Sequence, residues 1–331
     1  MRMRHLAPMQ ANELYKACML CPRRCSVDRT NGRTGFCGES AELRIASIQA
    51  HLGEEPPISA QNGSGTVFFS GCPLRCRYCQ NHQISHKGMG RVHGVEEVVD
   101  RISFLYEAKG IHNVNFVTPD HFLPHTVLIV RLLRERQIHI PTVYNFSGYQ
   151  HVEALRIIRP WADIYLPDFK YSDSALARNL SRCPDYPEVA LDALAEMVKQ
   201  KGFLDSFPSI EDQPPEGGSF HPAGRGVLVR HLVLPGHVRN SLNVLTTLYI
   251  EFGKRLPLSI MAQYTPVQSF PKEPALNRSV APEEFHEVLD HALGLGFLHI
   301  LAQYPSERTS GPPPFLPDFH SSHPFAGNPR G

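Results

Sequence analysis

Apolar residues return along this chain in two alternating rhythms. Short β-prone runs occur at Val67-Phe68-Phe69, Val114-Asn115-Phe116-Val117, Thr142-Val143-Tyr144, Ile164-Tyr165-Leu166, residues 227–234 and Ile260-Met261-Ala262. Between them, apolar positions recur at helical spacing. Val95, Val98, Val99, Ile102 and Leu105 form the first such stretch, with Gly110 as its stop, and Val127, Val130, Leu132 and Leu133 form the second. Residues 151–158 read as a helix ended by Pro160. Further helices are predicted over 191–202, 242–252 and 283–293, the last with Pro282 in its first turn, and 297–301 predicts a final strand. Repeated strand-then-helix units imply a parallel sheet. Six or seven of them fit a complete or partial (β/α) barrel best, with a doubly wound sheet as the alternative. In a barrel, chemistry is placed at the C-terminal ends of the strands.

Three stretches stand outside this rhythm. Residues 1–60 are polar and carry Cys18, Cys21, Cys25 and Cys37, so they read as a Cys-rich extension before a barrel over 61–303. Residues 205–225 are rich in Pro and Gly and read as a long surface loop. The Pro-rich segment 304–331 is expected to be a disordered tail. The chain has 331 residues and a net charge of +1, which argues against a dedicated nucleic-acid or anionic-membrane binder. No apolar run approaches the roughly 18 residues a membrane span needs. The basic start, Met1-Arg2-Met3-Arg4-His5, has no apolar region behind it, so a cytoplasmic location is expected.

Eight cysteines change the picture, because seven of them fall between Cys18 and Cys79. In a chain with ample core residues such crowding points to metal ligands rather than disulfides. The eighth, Cys183, reads as an inert, partly buried thiol. Cys72-Pro73-Leu74-Arg75-Cys76-Arg77-Tyr78-Cys79 gives a C-x3-C-x2-C spacing directly after the first apolar strand. Three thiolates on one tight loop suit three irons of a cubane cluster and leave the fourth iron open, as catalytic metal sites leave a position open. Cys18, Cys21, Cys25 and Cys37, interleaved with Gly32 and Gly35, supply four more soft ligands, for a second iron–sulfur cluster or for zinc.

The C-x3-C-x2-C spacing, with an aromatic residue before its last cysteine, resembles the signature of radical S-adenosylmethionine (SAM) enzymes. The likeness continues through the segments 51–59, Val117-Thr118-Pro119, Tyr144-Asn145 with Ser147-Gly148-Tyr149, 163–170 and 230–235. Together these resemble the pyruvate-formate-lyase-activating-enzyme-like branch of that superfamily. The resemblance implies a partial (β/α)6 barrel and a [4Fe–4S] cluster on Cys72, Cys76 and Cys79. It also implies SAM chelated to the open iron, reductive cleavage to a 5′-deoxyadenosyl radical, and an electron donor such as flavodoxin or ferredoxin. It makes the glycine of a glycyl-radical enzyme the leading substrate, ahead of another protein or a small molecule. A noncatalytic iron–sulfur or zinc scaffold is the nonenzyme alternative.

Residues after the strands complete the expected site. Activating enzymes carry a Gly-Gly-Glu-like segment after the second strand, where the SAM amino group is held. Here that place reads Thr118-Pro119-Asp120, so Thr118 and Asp120 are candidate acceptors for an ammonium group. Asn145, Asp168, Lys170 and Gln263 follow later strands and are expected to face the cavity. Asp168 and Lys170, two apart on extended chain, point the same way and are read either as catalytic or ligand-holding groups or as a rim ion pair. Arg230, inside an apolar strand, needs a buried partner: an anionic ligand group or a structural carboxylate. His231 faces oppositely and is expected to be packed. Tyr78 is placed near adenine by the resemblance, with core packing as the plain reading.

Overall fold

The computed structural model describes residues 13–207, 221–305, 316–321 and 323–325. Parts of the segments expected to be a loop (208–220) and a tail (306–315, 322 and 326–331) lie outside the described residues. Ten strands form two sheets: β1 (Arg44–His51), β2 (Ser64–Phe69), β3 (Arg91–Val92), β4 (Val114–Val117), β5 (Thr142–Phe146), β6 (Ile164–Pro167), β7 (Gly226–Val227), β8 (Val229–Leu232), β9 (Leu258–Met261) and β10 (Ile300–Gln303). The first sheet has the order β3-β1-β2-β4-β5-β6-β7 and the second the order β10-β9-β8. The pairings from β2 to β7 and from β8 to β10 are parallel, and β1 alone runs antiparallel to its neighbours β2 and β3.

The two sheets are one curved array. Residues 227–234, read as one strand, break at Leu228 into β7 and β8, and the bridge between Asp168 and Arg230 carries the ladder across the break. Among the described residues no ladder joins β10 back to β3, so the barrel is partial. Helices α1 (Pro56–Ser59), α2 (His82–Ser85), α3 (Val95–Lys109), α4 (Leu123–Glu135), α5 (Val152–Ile158), α6 (Ser174–Ser181), α7 (Tyr186–Lys201), α8 (Val238–Phe252) and α9 (Pro282–Leu295) complete the array. The longer ones cover its convex face.

Strand alternation sorts the side chains between two faces. Val67, Phe69, Val114, Phe116, Tyr144, Tyr165, Val227 and Val229 point outward into the main core under the helices. Val143, Ile164, Leu166 and Leu228 point to the concave face, where Ile58 of α1 packs on them. By the same parity Phe68, Val117, Asn145, Asp168 and Arg230 line the concave face at the C-terminal ends of their strands. β1 lies in the same sheet as β2, so residues 44–51 belong to the array although they precede residue 60. The connection from β1 to β2 folds under the concave face and brings Glu54 and Glu55 into it.

Candidate active site

The loop after β2 turns at Gly71, whose φ of +78° only glycine adopts freely. A side chain there would also meet the Cys37 carbonyl at 2.7 Å. Cys72 and Cys76 are buried and Cys79 is half-buried. Arg75 takes a left-handed φ of +51°, which curls the backbone so that the Leu74 and Arg75 N–H groups donate to Cys72 Sγ at 3.3 and 3.5 Å. The Ser85 hydroxyl of α2 donates to Cys79 Sγ at 3.3 Å. Such donors stabilise negative charge on sulfur, as cluster-bound thiolates need. Without a cation the thiols resist ionisation. Burial, followed by the neighbouring Cys76 and Cys79, holds Cys72 well above the usual thiol range, and burial with Cys76 pushes Cys79 up to about 11. Among the described residues no three Cys, His, Asp or Glu side chains converge as ligands of a single ion. A cubane instead gives each thiolate its own iron.

At the end of β4, Thr118 has φ +56°, a left-handed conformation that is rare and costly for a β-branched residue. Its N–H is held by the Asn145 carbonyl at 3.0 Å. Thr118 thus keeps the backbone shape that a Gly-Gly segment allows. Asp120, two residues on, is 2% exposed. Gln150 donates to its Oδ1, and Oδ2 has no partner among the described residues. Burial raises its carboxyl to about 7, with Asp168 adding to the effect. Asn145 is half-buried, and among the described residues its side-chain amide makes no hydrogen bond.

Asp168 and Lys170 form a close ion pair. Burial works against the Lys170 ammonium, but Asp168, Cys76 and Cys79 outweigh it and hold the group above the usual lysine range. Lys170 therefore lies within electrostatic reach of Cys76 and Cys79. The Tyr186 hydroxyl fixes this rim: it donates to the Ser147 and Asp168 carbonyls at 2.9 and 3.0 Å and accepts from the Lys170 N–H at 3.0 Å. Gly148 permits this closeness, because a Cβ there would lie 2.0 Å from the Asp168 carbonyl oxygen.

Arg230 is paired rather than free. Its Nε donates to Glu55 at 2.8 Å and its Nη2 to both Glu54 and Glu55, while Asn115 donates to Glu54 at 2.7 Å. Of the two roles expected for this arginine, the structure gives the structural ion pair. The signal for this cluster in the sequence is two adjacent acids, Glu54 and Glu55, before Pro56-Pro57 and an arginine inside an apolar strand. His231 is packed as expected: its Nδ1 donates to the Phe169 carbonyl at 2.6 Å, so its Nε2 accepts from Ser241 at 2.8 Å. Tyr78 is 5% exposed, accepts a hydrogen bond from the Tyr171 hydroxyl at 2.8 Å and packs beside the Tyr264 ring. Its ring is committed to the core, the plainer of its two readings. Gln263 reaches back to Met261 Sδ at 3.3 Å. Cys183 is fully buried.

The N-terminal cysteines gather beside this loop. Cys18, Cys21 and Cys37 are buried and Cys25 is half-buried. A Cβ built on Gly35 would lie 3.4 Å from Cys25 Sγ and 3.6 Å from Cys37 Sγ, so both thiols lie close to this one position. The Phe36 N–H donates to Cys25 Sγ at 3.2 Å. Sequence reasoning passed over Arg29, which is 0% exposed. Its Nη1 donates to the His121 carbonyl at 2.7 Å and approaches Cys18 Sγ at 3.7 Å, and it makes no ion pair with a carboxylate among the described residues. The Tyr15 ring lies 4.6 Å from the guanidinium. The two cysteine loops touch directly, through the Cys72 N–H donating to the Cys37 carbonyl at 3.2 Å.

The uncharacterized protein MJ0674 of Methanocaldococcus jannaschii is 29% identical over 291 residues, covering 85% of this chain and 76% of that protein. Among solved structures, Streptococcus suis SuiB bound to S-adenosylmethionine aligns with 70% of this chain and 48% of its own, at 11% identity and a TM-score of 0.46. This chain thus spans about half of SuiB. Spore photoproduct lyase complexed with dinucleoside spore photoproduct aligns with 78% of this chain and 79% of its own, at 12% identity and a TM-score of 0.45. No helix among the described residues is long and apolar enough to cross a membrane. Residues 66–207, which hold the Cys72–Cys79 loop, the Thr118–Asp120 turn and the Asp168–Lys170 pair, match the family model of the Radical SAM superfamily, and the chain therefore carries a Radical SAM superfamily domain.

Proposed function

We propose that the protein is a radical SAM enzyme that holds a [4Fe–4S] cluster on Cys72, Cys76 and Cys79 and binds SAM against the Thr118–Asp120 turn. The observation that carries this reading is Asp120: a buried carboxylate with one oxygen unpartnered among the described residues, within electrostatic reach of Cys72. A buried acid in that state lacks a cation, and the amino group of SAM is one of suitable size and charge. When bound, the cluster and SAM supply one-electron reductive cleavage and a 5′-deoxyadenosyl radical for hydrogen abstraction.

The chain's own residues hold and shield. Asp120 accepts from the ammonium, and the Thr118 backbone turn sets where it can do so. The free Asn145 amide offers a donor and an acceptor to the ribose. Lys170, within electrostatic reach of Cys76 and Cys79, offers a cation to the SAM carboxylate while Asp168 takes a hydroxyl or a substrate N–H. The Glu54–Glu55–Arg230 cluster fills the concave face below and positions Asn115, so Arg230 acts through its neighbours. Apolar closure around the site keeps water from a reactive intermediate. The leading substrate is the glycine of a partner enzyme, and the sequence resemblance supports it. Flavodoxin or ferredoxin suits the electron supply.

Cys18, Cys21, Cys25 and Cys37 hold an auxiliary iron–sulfur cluster in this reading, which would supply electron-transfer chemistry next to the first. Arg29 supports it. A buried cation with no carboxylate partner requires an anion, and thiolates on a metal provide one. Electron paramagnetic resonance of the anaerobically reconstituted, reduced protein tests the site. The signal is expected to change on adding SAM, and Asp120→Ala is expected to raise the SAM concentration needed at least tenfold. A wild-type signal indifferent to SAM would refute the assignment.

A further inference from the structure

The segment described at 316–321 and 323–325, inside the stretch expected to be disordered, packs on the concave side of the barrel. It closes into a turn through the Asp318 N–H, which donates to the Pro324 carbonyl at 2.9 Å. Its two aromatic rings enter one apolar cradle. Phe319 meets Phe68 edge-on with centroids 5.6 Å apart, and Phe325 lies 5.0 Å from Phe68 and 4.4 Å from His51. Ile84 and Val117 complete the wall, and Phe319 is 9% exposed.

The position of the cradle gives it meaning. Phe68 and Val117 are concave-face residues at the C-terminal ends of β2 and β4, and Thr118 follows at once. His51 lies within electrostatic reach of Glu54 and Arg230. The polar wall is Gln83 of α2, four residues past Cys79. Its Oε1 accepts from the Phe319 N–H at 2.7 Å and its Nε2 donates to the Asp318 carboxylate at 3.1 Å. One side-chain amide thus reads both a backbone N–H and the acid before it, as a peptide-binding site does. Neither the cluster ligands nor the SAM-facing turn uses Gln83 or these rings.

We propose that this cradle is a peptide-binding site at the entrance to the concave face, selective for an acidic residue followed by aromatic rings in a turn, and that the chain's own segment 316–325 is its resident. While the segment is docked, the approach between the cysteine loop and the Glu54–Arg230 cluster is closed. A protein substrate presenting the same chemistry must displace it. The link to substrate entry rests on the proposed active site, whereas the binding itself needs neither cluster nor SAM.

The test uses the full chain with Phe319→Ala and Phe325→Ala together, and a fluorescent peptide of sequence Leu-Pro-Asp-Phe-His-Ser-Ser-His-Pro-Phe followed by anisotropy. The variant is expected to bind the peptide at least tenfold more tightly than the wild type, whose cradle is filled. Adding Gln83→Ala to the variant is expected to weaken binding at least tenfold, as is replacing both phenylalanines of the peptide. Equal binding by wild type and variant, or binding indifferent to Gln83 and to the peptide's phenylalanines, would overturn the proposal. Hydrogen exchange provides a check that does not depend on the added peptide: the Phe319 amide, bonded to Gln83, should be protected in the wild type and lose that protection in Gln83→Ala. An unprotected amide in the wild type would also overturn it. Loss of SAM cleavage with peptide binding intact would count against the active-site reading alone.

Discussion

Two cysteine loops share a wall in this protein, joined by the bond from Cys72 N–H to the Cys37 carbonyl, yet their surroundings differ. The loop of residues 18–37 carries four thiols, with Cys18 and Cys37 within electrostatic reach of the buried Arg29. In the proposed reading that set is complete, because four sulfur ligands and a counter-charge leave no call for an outside ligand. The loop of residues 72–79 brings three thiols and has beside it Lys170, already tied to Asp168, and an Asp120 carboxylate oxygen without a partner among the described residues. That set is incomplete in ligand number and in charge. The same thiol chemistry therefore serves two ends, and what separates them is whether the neighbouring residues finish the site or leave it open.

The sharpest way to break the comparison is to remove one thiol from each loop. Cys76→Ala should abolish 5′-deoxyadenosine formation and remove roughly half of the iron if each loop holds a four-iron cluster. Cys21→Ala should leave a SAM-responsive signal from the first cluster. Iron analysis of both variants checks this, and zinc found in place of the second half of the iron would reassign the N-terminal centre. Arg29→Met probes the charge balance. With metal bound, losing the cation should destabilise the protein by about 3–5 kcal/mol, as breaking a buried pair does. After chelation the order should reverse, because the wild type then buries a cation without an anion. Thermal denaturation before and after chelation reads both signs.

Asp120→Asn should raise the KM for SAM by about ten- to a hundredfold, the loss of one charged hydrogen bond of about 1.5–3 kcal/mol, and Cys21→Ala should not. The smallest effect lies far from both loops and serves as a control. Glu284 accepts from Arg278 and from the Ala281 N–H at the start of α9, and Arg278 first among these lowers its carboxyl to about 2. A depressed folded-state value means stability that is whole above the ordinary glutamate range near 4.5 and is lost as pH falls toward 2. Glu284→Gln should remove that slope and cost on the order of 1 kcal/mol at neutral pH. Urea denaturation between pH 2 and 7 measures it.

The sequence carried much of this arrangement because cluster ligands must sit on one short loop, and the alternation of strand and helix is periodic. Asn145 and Asp168 were expected at one cavity because residues that follow parallel strands of a barrel gather at their C-terminal ends. β1 escaped notice because most of its residues are only partly buried, so Arg44–His51 shows no clean alternation. Arg29 and the Glu54–Glu55 pair were silent for another reason. Their meaning lies in what they meet across the fold: the thiol of Cys18, and an arginine about 175 residues away. The phenylalanines of the tail were likewise hidden by the prolines around them, which signal disorder when no partner surface is in view.

The most direct test of the open centre is the formation of 5′-deoxyadenosine by the anaerobically reconstituted, reduced protein supplied with SAM, measured beside Cys76→Ala and with the candidate protein partner present. The account predicts product from the wild type and none above background from the variant. A wild type with its cluster confirmed and reduced that yields no product, with or without partner, would contradict it.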